Sequence, residues 1–336
     1  MNKKVMVLGA GGSAGIGFTR CIKHDYYTIG TDSDGTNLNF SECNESFLIP
    51  RAESSDYIKR LNNIIGKREV FVHSQSDAEV RVIGKNRGRL KAETKLPSDG
   101  VIEICQDKFS TYLHLKDTGL VPKTEMINTD NLKKLRYPIW IRNAKGAGGK
   151  GSFLAKDCAS IKHWIELIHA VGQSNHADED FIASEYLAGK NFGVDVVFDR
   201  GELCGFNIKE RLSYPFSKNT FSGITGTADA IQNVTNKKIR EKLVDIAIRA
   251  INEIDKSPHG IYAVDLKENQ GRYYITEINA GRFLTSSLHF FYSTGFNLPL
   301  KYLDSDYGCL GNYVPIEYTN KCTLLRKMDC LPKVIK

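Results

Sequence analysis

Residues 260–283 read GIYAVDLKENQGRYYITEINAGRF. Two β runs, Gly260 to Leu266 and Tyr273 to Ile278, flank the turn residues Glu268 to Gly271, so this stretch is predicted to fold as a β-hairpin. Residues two apart on a strand face the same side. Glu277 and Asn279 therefore point together, and Asp265 on the paired strand can join them. Two carboxylates and an amide oxygen form an all-oxygen set suited to Mg²⁺ bridging phosphates. The acids could instead pair with Lys267 or Arg272. Ile275 and Ile278 beside them, and Gly281-Arg282 directly after, favour the metal site.

Upstream, a β run from Pro138 to Arg142 leads into Gly146-Ala147-Gly148-Gly149-Lys150-Gly151, and a second run, Ser152 to Ala155, leaves it. A glycine-rich hairpin can close over a triphosphate with its amides turned inward, while Arg142 and Lys150 bring positive charge to phosphate oxygens. Glu185-Tyr186-Leu187-Ala188-Gly189 follows the strand Phe181 to Ser184, where an acceptor side chain and exposed backbone groups can read an adenine's edge. Helices are predicted over Lys108 to Thr118, closing at Gly119, over Ile161 to Val171, and over Lys237 to Ile254, with a strand over Phe192 to Asp199. Tyr214 to Asp229 is rich in Ser, Thr and Gly without periodicity and reads as a mobile loop that could close over a reactive intermediate. Beyond Asn297 two more β-like runs occur, Tyr313 to Tyr318 and Thr323 to Arg326; the charged residues of this stretch, Arg326, Lys327 and Asp329, could complete an acceptor pocket, but read rather as decoration of an edge strand.

The first hundred residues alternate β runs (Lys4 to Leu8, Tyr27 to Gly30, Glu45 to Ile49, Val70 to His73) with helical spacing at Ile16 to Lys23 and Tyr57 to Ile65, which predicts a small parallel-sheet domain. Its first turn, Gly9-Ala10-Gly11-Gly12-Ser13-Ala14, matches the dinucleotide pattern, with Asp32 ending the next strand. Amides at Gly11, Gly12 and Ser13 could hold a phosphate or a carboxylate. Nothing downstream supplies a hydride-transfer site, so a dehydrogenase is disfavoured.

The whole chain has 336 residues and a formal net charge of +7, with 41% hydrophobic and 25% charged residues, the profile of a folded globular protein of two or three units. Its basic residues are spread out; the densest group, Lys85 to Lys95, reads as a solvated helix face rather than a nucleic-acid patch. No apolar run approaches the ~20 residues that span a bilayer, and the short apolar start runs into glycines, against a signal peptide. Eight scattered cysteines, with no paired spacing, read as reduced thiols in a cytoplasmic protein, without zinc or a disulfide framework. No Ser/His/Asp or Cys/His arrangement is recognisable; His259, next to Pro258, reads as structural rather than as a proton acceptor.

Taken in order, GAGGSAGIG with TDSD, Asp107-Lys108 before a helix, LVPKT, YPIWIR, GAGGKG, SEYLAG, YAVDL and ITEINAGRF resemble the ATP-grasp superfamily, in particular its carbamoyl-phosphate-synthetase-like branch. The resemblance spans roughly residues 1–300. It implies an α/β and α+β fold: a Rossmann-like pre-ATP-grasp domain over 1–100, ATP-grasp subdomains over 107–185 and 186–300, and a C-terminal extension over 301–336. It implies ATP and Mg²⁺ as cofactors. Lys108 and Arg142 would contact the phosphates together with Gly148, Gly149, Lys150 and Gly151. Glu185 and Leu187 would lie at the adenine, Asp265, Glu277 and Asn279 at the metal, and Arg282 at the transferred phosphoryl group. Asn191 stands where many relatives carry a ribose-binding acid, and Asp195 lies one strand-face repeat further on. Ala280-Gly281 replaces the proline of the commoner EINPR ending, which bears on the reach of Arg282. The activity implied is ligation of a small carboxylic acid to an amine through an acyl phosphate, forming a carbon–nitrogen bond, in a cytoplasmic protein that acts on neither nucleic acid nor membranes. Alternatives are a carbamate- or acid-phosphorylating enzyme and a nucleotide-binding regulatory subunit. The family's frequent dimers make a homodimer the candidate assembly.

Overall fold

The first hundred residues build a four-stranded parallel sheet in the computed structural model, which describes residues 4–128, 131–146, 149, 151–170, 181–215, 226–294, 297–304, 321–327 and 330–335. Strands β1 (Lys4–Leu8), β2 (Tyr27–Asp32), β3 (Glu45–Leu48) and β4 (Val70–Ser74) lie in the order β3-β2-β1-β4. They alternate with helices α1 (Ser13–Ile22), α2 (Gly35–Leu38), α3 (Tyr57–Ile65) and α4 (Asp77–Lys85). The central strand is buried on both faces, as a parallel sheet under two helical layers requires. Met6 and Leu8 pack with Leu61 and Val80 on one side, and Val5 and Val7 with Phe18 and Ile22 on the other.

The basic stretch from Lys85 to Lys95 is not a helix face. The helix ends at Lys85, a short 3₁₀ turn covers Arg87–Arg89, and the chain then runs extended. Arg87 turns back to donate to the carbonyls of Leu96 and Pro97 and pairs with Asp99. It staples a returning segment, while Lys85, Arg89 and Lys91 are exposed.

Helices α5 (Asp99–Gln106) and α6 (Lys108–Leu115) lead into a second layer, the antiparallel sheet β5-β8-β6-β7 made of β5 (Thr124–Met126), β6 (Ile139–Asn143), β7 (Phe153–Ala155) and β8 (Phe181–Glu185). This sheet and α7 (Cys158–Ala170) share a separate small core of Ile139, Ile141, Ile161 and Phe181. A third layer, of seven strands, contains β9 (Asn191–Asp199), β10 (Glu202–Ser213), β11 (Ala230–Asn233), β12 (Gly260–Asn269) and β13 (Arg272–Ala280), backed by α8 (Lys237–Ile254). After α9 (Thr285–Thr294) and α10 (Leu298–Leu303), strand β14 (Thr323–Lys327) pairs with β11, and β15 (Cys330–Ile335) completes the sheet. The run Tyr313 to Tyr318 lies outside the described residues, as do residues 216–225 of the expected loop.

The expectation of uniformly reduced thiols needs correction, because Cys204 is in a disulfide. Cys21, Cys43, Cys105, Cys158 and Cys322 are free thiols. No described helix is long and apolar enough to cross a membrane.

At the carboxyl edge of the parallel sheet, Glu79 is enclosed and accepts hydrogen bonds from Tyr57 and Ser74, both at 2.8 Å. Burial pushes its carboxyl up to about 7 from an ordinary 4.5, and Asp32 and Glu53 add to the effect. The protonated group stabilises the fold fully below about pH 4.5, and that contribution is lost as the pH rises through about 7. Denaturation titrations across this range should therefore show stability falling with rising pH, and Glu79→Gln should flatten that slope.

Candidate active site

The registers of β10, β9, β12 and β13 place Lys209, Gly193, Asp265 and Glu277 in one row across the sheet. The next row on one side is Arg211, Asn191 and Lys267, and on the other Asn207, Asp195, Ala263 and Asn279. Directly opposed residues share a face. One face of the sheet therefore carries charged and amide groups, while Phe192, Val194, Ile208 and Val264 turn the other way into the core behind it.

The two carboxylates and the amide expected to converge do so, but their partners are neither Lys267 nor Arg272. Arg211 Nη2 lies 2.5 Å from Asp265 Oδ1. Lys108 Nζ lies 3.3 Å from Glu277 Oε1 and donates to the Gly146 carbonyl at 2.6 Å. Arg282 donates to Asn279 Oδ1 at 2.5 Å and grips Asp77 at the start of α4 through Nε (2.5 Å) and Nη2 (3.0 Å). With Ala-Gly in place of proline, Arg282 thus reaches both the hairpin and α4. Across the cavity, Arg142 is enclosed and its Nε has no partner among the described residues.

Burial works against the charge on Glu277, yet Lys108, Arg142 and Arg282 outweigh it and hold the carboxyl below its usual range. Asp265 goes the other way, pushed up by burial in spite of Arg211. Burial lowers Arg142, with Glu277 and Asp265 opposing it.

These groups surround a cavity of about 530 Å³ between the second and third layers. Lys108, Arg142, Gly149 and Asn191 line it, and Glu185 and Leu187 lie on its wall at the end of β8. Gly151 abuts Asn143, where a Cβ would come within 2.5 Å of Oδ1. Gly148 and Lys150 lie outside the described residues. Asp195 is fully buried away from the cavity: it accepts from the Leu284 amide at 2.9 Å and from Ser287 Oγ, with Lys209 Nζ at 3.4 Å. It anchors the start of α9 and is not placed to bind a ribose. His259 pairs with Asp199 at 3.1 Å, at the far end of β12 from Asp265, consistent with a structural role.

In the N-terminal glycine turn, two of the three amides expected to face an anion, those of Gly11 and Gly12, have partners within the chain. Gly11 N donates to Asp32 Oδ2 at 3.1 Å and Gly12 N to the Gly9 carbonyl at 3.1 Å. A Cβ on Gly11 would lie 1.9 Å from the Asn37 carbonyl oxygen, so α2 covers the turn where a dinucleotide would have to sit. Ser13 Oγ is engaged by His289 and Arg326.

Two site residues were not evident from sequence. Arg211 lies in a strand whose Lys-Glu-Arg run interrupts apolar alternation, and no local pattern links Asp77 to a guanidinium 205 positions later.

Residues 105–286 match the ATP-grasp domain family, and the chain belongs to it. A carbamoyl-phosphate synthase of Methanobrevibacter smithii is 21% identical over 202 residues, covering 53% of this chain and 49% of that protein. The chain thus matches about half the length of that relative. Among solved structures, an L-amino acid ligase from Bacillus licheniformis superposes with a TM-score of 0.70 at 14% identity over 96% of this chain and 79% of that one. A biotin carboxylase–ATP complex from Campylobacter jejuni gives 0.71 at 16% identity, over 97% and 76% respectively.

Beneath the site, the Lys209–Asp195 pair is almost fully enclosed, at 2% and 0% exposure. Removing one member of such a pair strands the other's charge. Asp195→Ala should cost about 3 kcal/mol or more in chemical denaturation. The Asp195→Ala/Lys209→Met double variant should lose less than the two single losses together.

Proposed function

We propose that the cavity binds ATP with Mg²⁺ and activates a small carboxylic acid for attack by an amine. The observation that carries this reading is the meeting of Asp265, Glu277 and Asn279 on one sheet face in a cavity that Arg142 also lines, its buried Nε without a partner among the described residues. An all-oxygen donor set suits a hard divalent ion, and a guanidinium with a free donor suits a phosphate oxygen. The three donors would hold Mg²⁺, which neutralises charge on the phosphate oxygens.

The remaining work falls to the chain's own residues. Arg142 and Lys108 would orient the phosphates, and Glu185 and Leu187 would border the adenine. The glycine hairpin, including Gly148 and Lys150, would cover the triphosphate. Arg282, held by Asp77, would face charge developing on the transferred phosphoryl group. A carboxylate oxygen of the substrate attacks the γ-phosphorus and ADP leaves. The amine nitrogen then attacks the acyl carbon, phosphate leaves and a proton passes to solvent. No side-chain nucleophile is needed, since positioning and electrostatics supply the catalysis.

The similarity to a carbamoyl-phosphate synthase supports a second outcome, in which the phosphorylated acid is itself the product. Family resemblance supports a cytoplasmic homodimer acting on small molecules.

Glu277→Ala should lower ADP release, measured over a panel of carboxylic acids with amines, by about a hundredfold or more while leaving the melting temperature near wild type. Turnover close to normal would remove the hairpin from the reaction. Chromatographic analysis of the products for amide against acyl phosphate separates the two outcomes.

A further inference from the structure

Each of the three donor residues of the hairpin has an oxygen already held by a cation: Asp265 Oδ1 by Arg211 on β10, Glu277 Oε1 by Lys108 at the start of α6, and Asn279 Oδ1 by Arg282 just after β13. Asp265 and Glu277 are directly opposed on adjacent strands, where unneutralised like charges repel. Arg211 and Lys108 therefore occupy the role that a divalent ion would otherwise fill.

We propose, building on the ATP reading above, that Arg211 and Lys108 are built-in stand-ins for the metal. They exclude a free divalent ion and release the two carboxylates only when nucleotide phosphates arrive to take over their charge.

Three observations support this. The first is charge. Lys108, Arg142, Arg211 and Arg282 face Asp77, Asp265 and Glu277, while Lys267 and Glu185, which also line the cavity, cancel. The described residues of the site thus carry a net charge of about +1, so a bare dication enters against a positive field whereas a metal–polyphosphate complex does not. The second is space. Gly193 sits beside Asp265 in the sheet, and a Cβ there would lie 3.3 Å from Arg211 Nη2 and 2.5 Å from Leu284 Cδ1. The missing side chain gives the guanidinium room to lie against the strand and reach Asp265.

The third is linkage. The Lys108 ammonium that holds Glu277 also donates to the Gly146 carbonyl at the edge of the glycine hairpin. Freeing Glu277 therefore changes what ties the hairpin to α6. Arg142, whose Nε has no partner among the described residues, offers an arriving phosphate a further cation that also faces Glu277.

The test is Mn²⁺ binding to the full chain followed by electron paramagnetic resonance, with and without a non-hydrolysable ATP analogue. Wild type should bind free Mn²⁺ weakly and recruit it strongly with the analogue. Arg211→Gln and Lys108→Gln should each bind free Mn²⁺ about tenfold or more tightly than wild type. Arg211→Lys, which keeps the charge, should stay near wild type. Lys267→Gln, which removes a charge from the same cavity but none from the three donors, should gain far less. The stand-in role is overturned if the glutamine variants gain no more than Lys267→Gln while wild type still recruits Mn²⁺ with the analogue. A wild-type protein that recruits no Mn²⁺ with the analogue overturns the ATP reading as well.

Discussion

Asp265 and Glu277 face each other across two paired strands in a half-buried setting, and two adjacent carboxylates there are unstable without counter-charge. The neighbouring elements supply that counter-charge from separate directions. β10 brings Arg211, α6 brings Lys108, β6 brings Arg142, and the turn after β13 brings Arg282. These cations come from segments far apart in the chain, so the acid pair gains its full counter-charge only when the second and third layers and α6 are together. The electrostatics of the site and the packing of the fold express the same constraint.

The layer beneath explains how Arg282 is held. Asp195 ties β9 to the first turn of α9 through the Leu284 amide and Ser287, and Lys209 closes the pair from β10 with its ammonium 4.3 Å from the Phe291 ring centroid. Burial lowers Lys209 to about 8, with Asp195 opposing the shift. Arg282 lies two residues before Leu284, with Asp77 gripping its guanidinium from the other side. An arginine fixed by a buried anchor and by a carboxylate on α4 keeps its orientation without help from a ligand.

Much of this was legible in the sequence wherever one periodicity dominated. The helices at Tyr57–Ile65 and Lys237–Ile254 have the limits their apolar spacing gives, and the hairpin of Asp265, Glu277 and Asn279 follows from two short β runs about a turn. Strand β10 was missed because its inward residues are Asn207, Lys209 and Arg211, polar groups that serve the site and erase the alternation that marks a strand. The glycine turn at residues 9–15 carried a true backbone signal, a tight strand-to-helix junction, but its sequence could not show that Asp32 and α2 already occupy it. The basic run after Lys85 misled because charge density alone does not separate a solvated face from an arginine that braces a chain reversal.

Phe283, Leu288 and Phe291 pack into the same core as Val5, Val7 and Phe18. The N-terminal sheet and the seven-stranded sheet are therefore welded through shared side chains, whereas the β5–β8 layer keeps a core of its own. The smaller layer is thus the one wall of the cavity that is packed independently of the other two layers. It is joined to α6 through the Lys108 amide with the Ala144 carbonyl and the Lys108 ammonium with the Gly146 carbonyl, so the residue that neutralises Glu277 also bridges two separately packed cores.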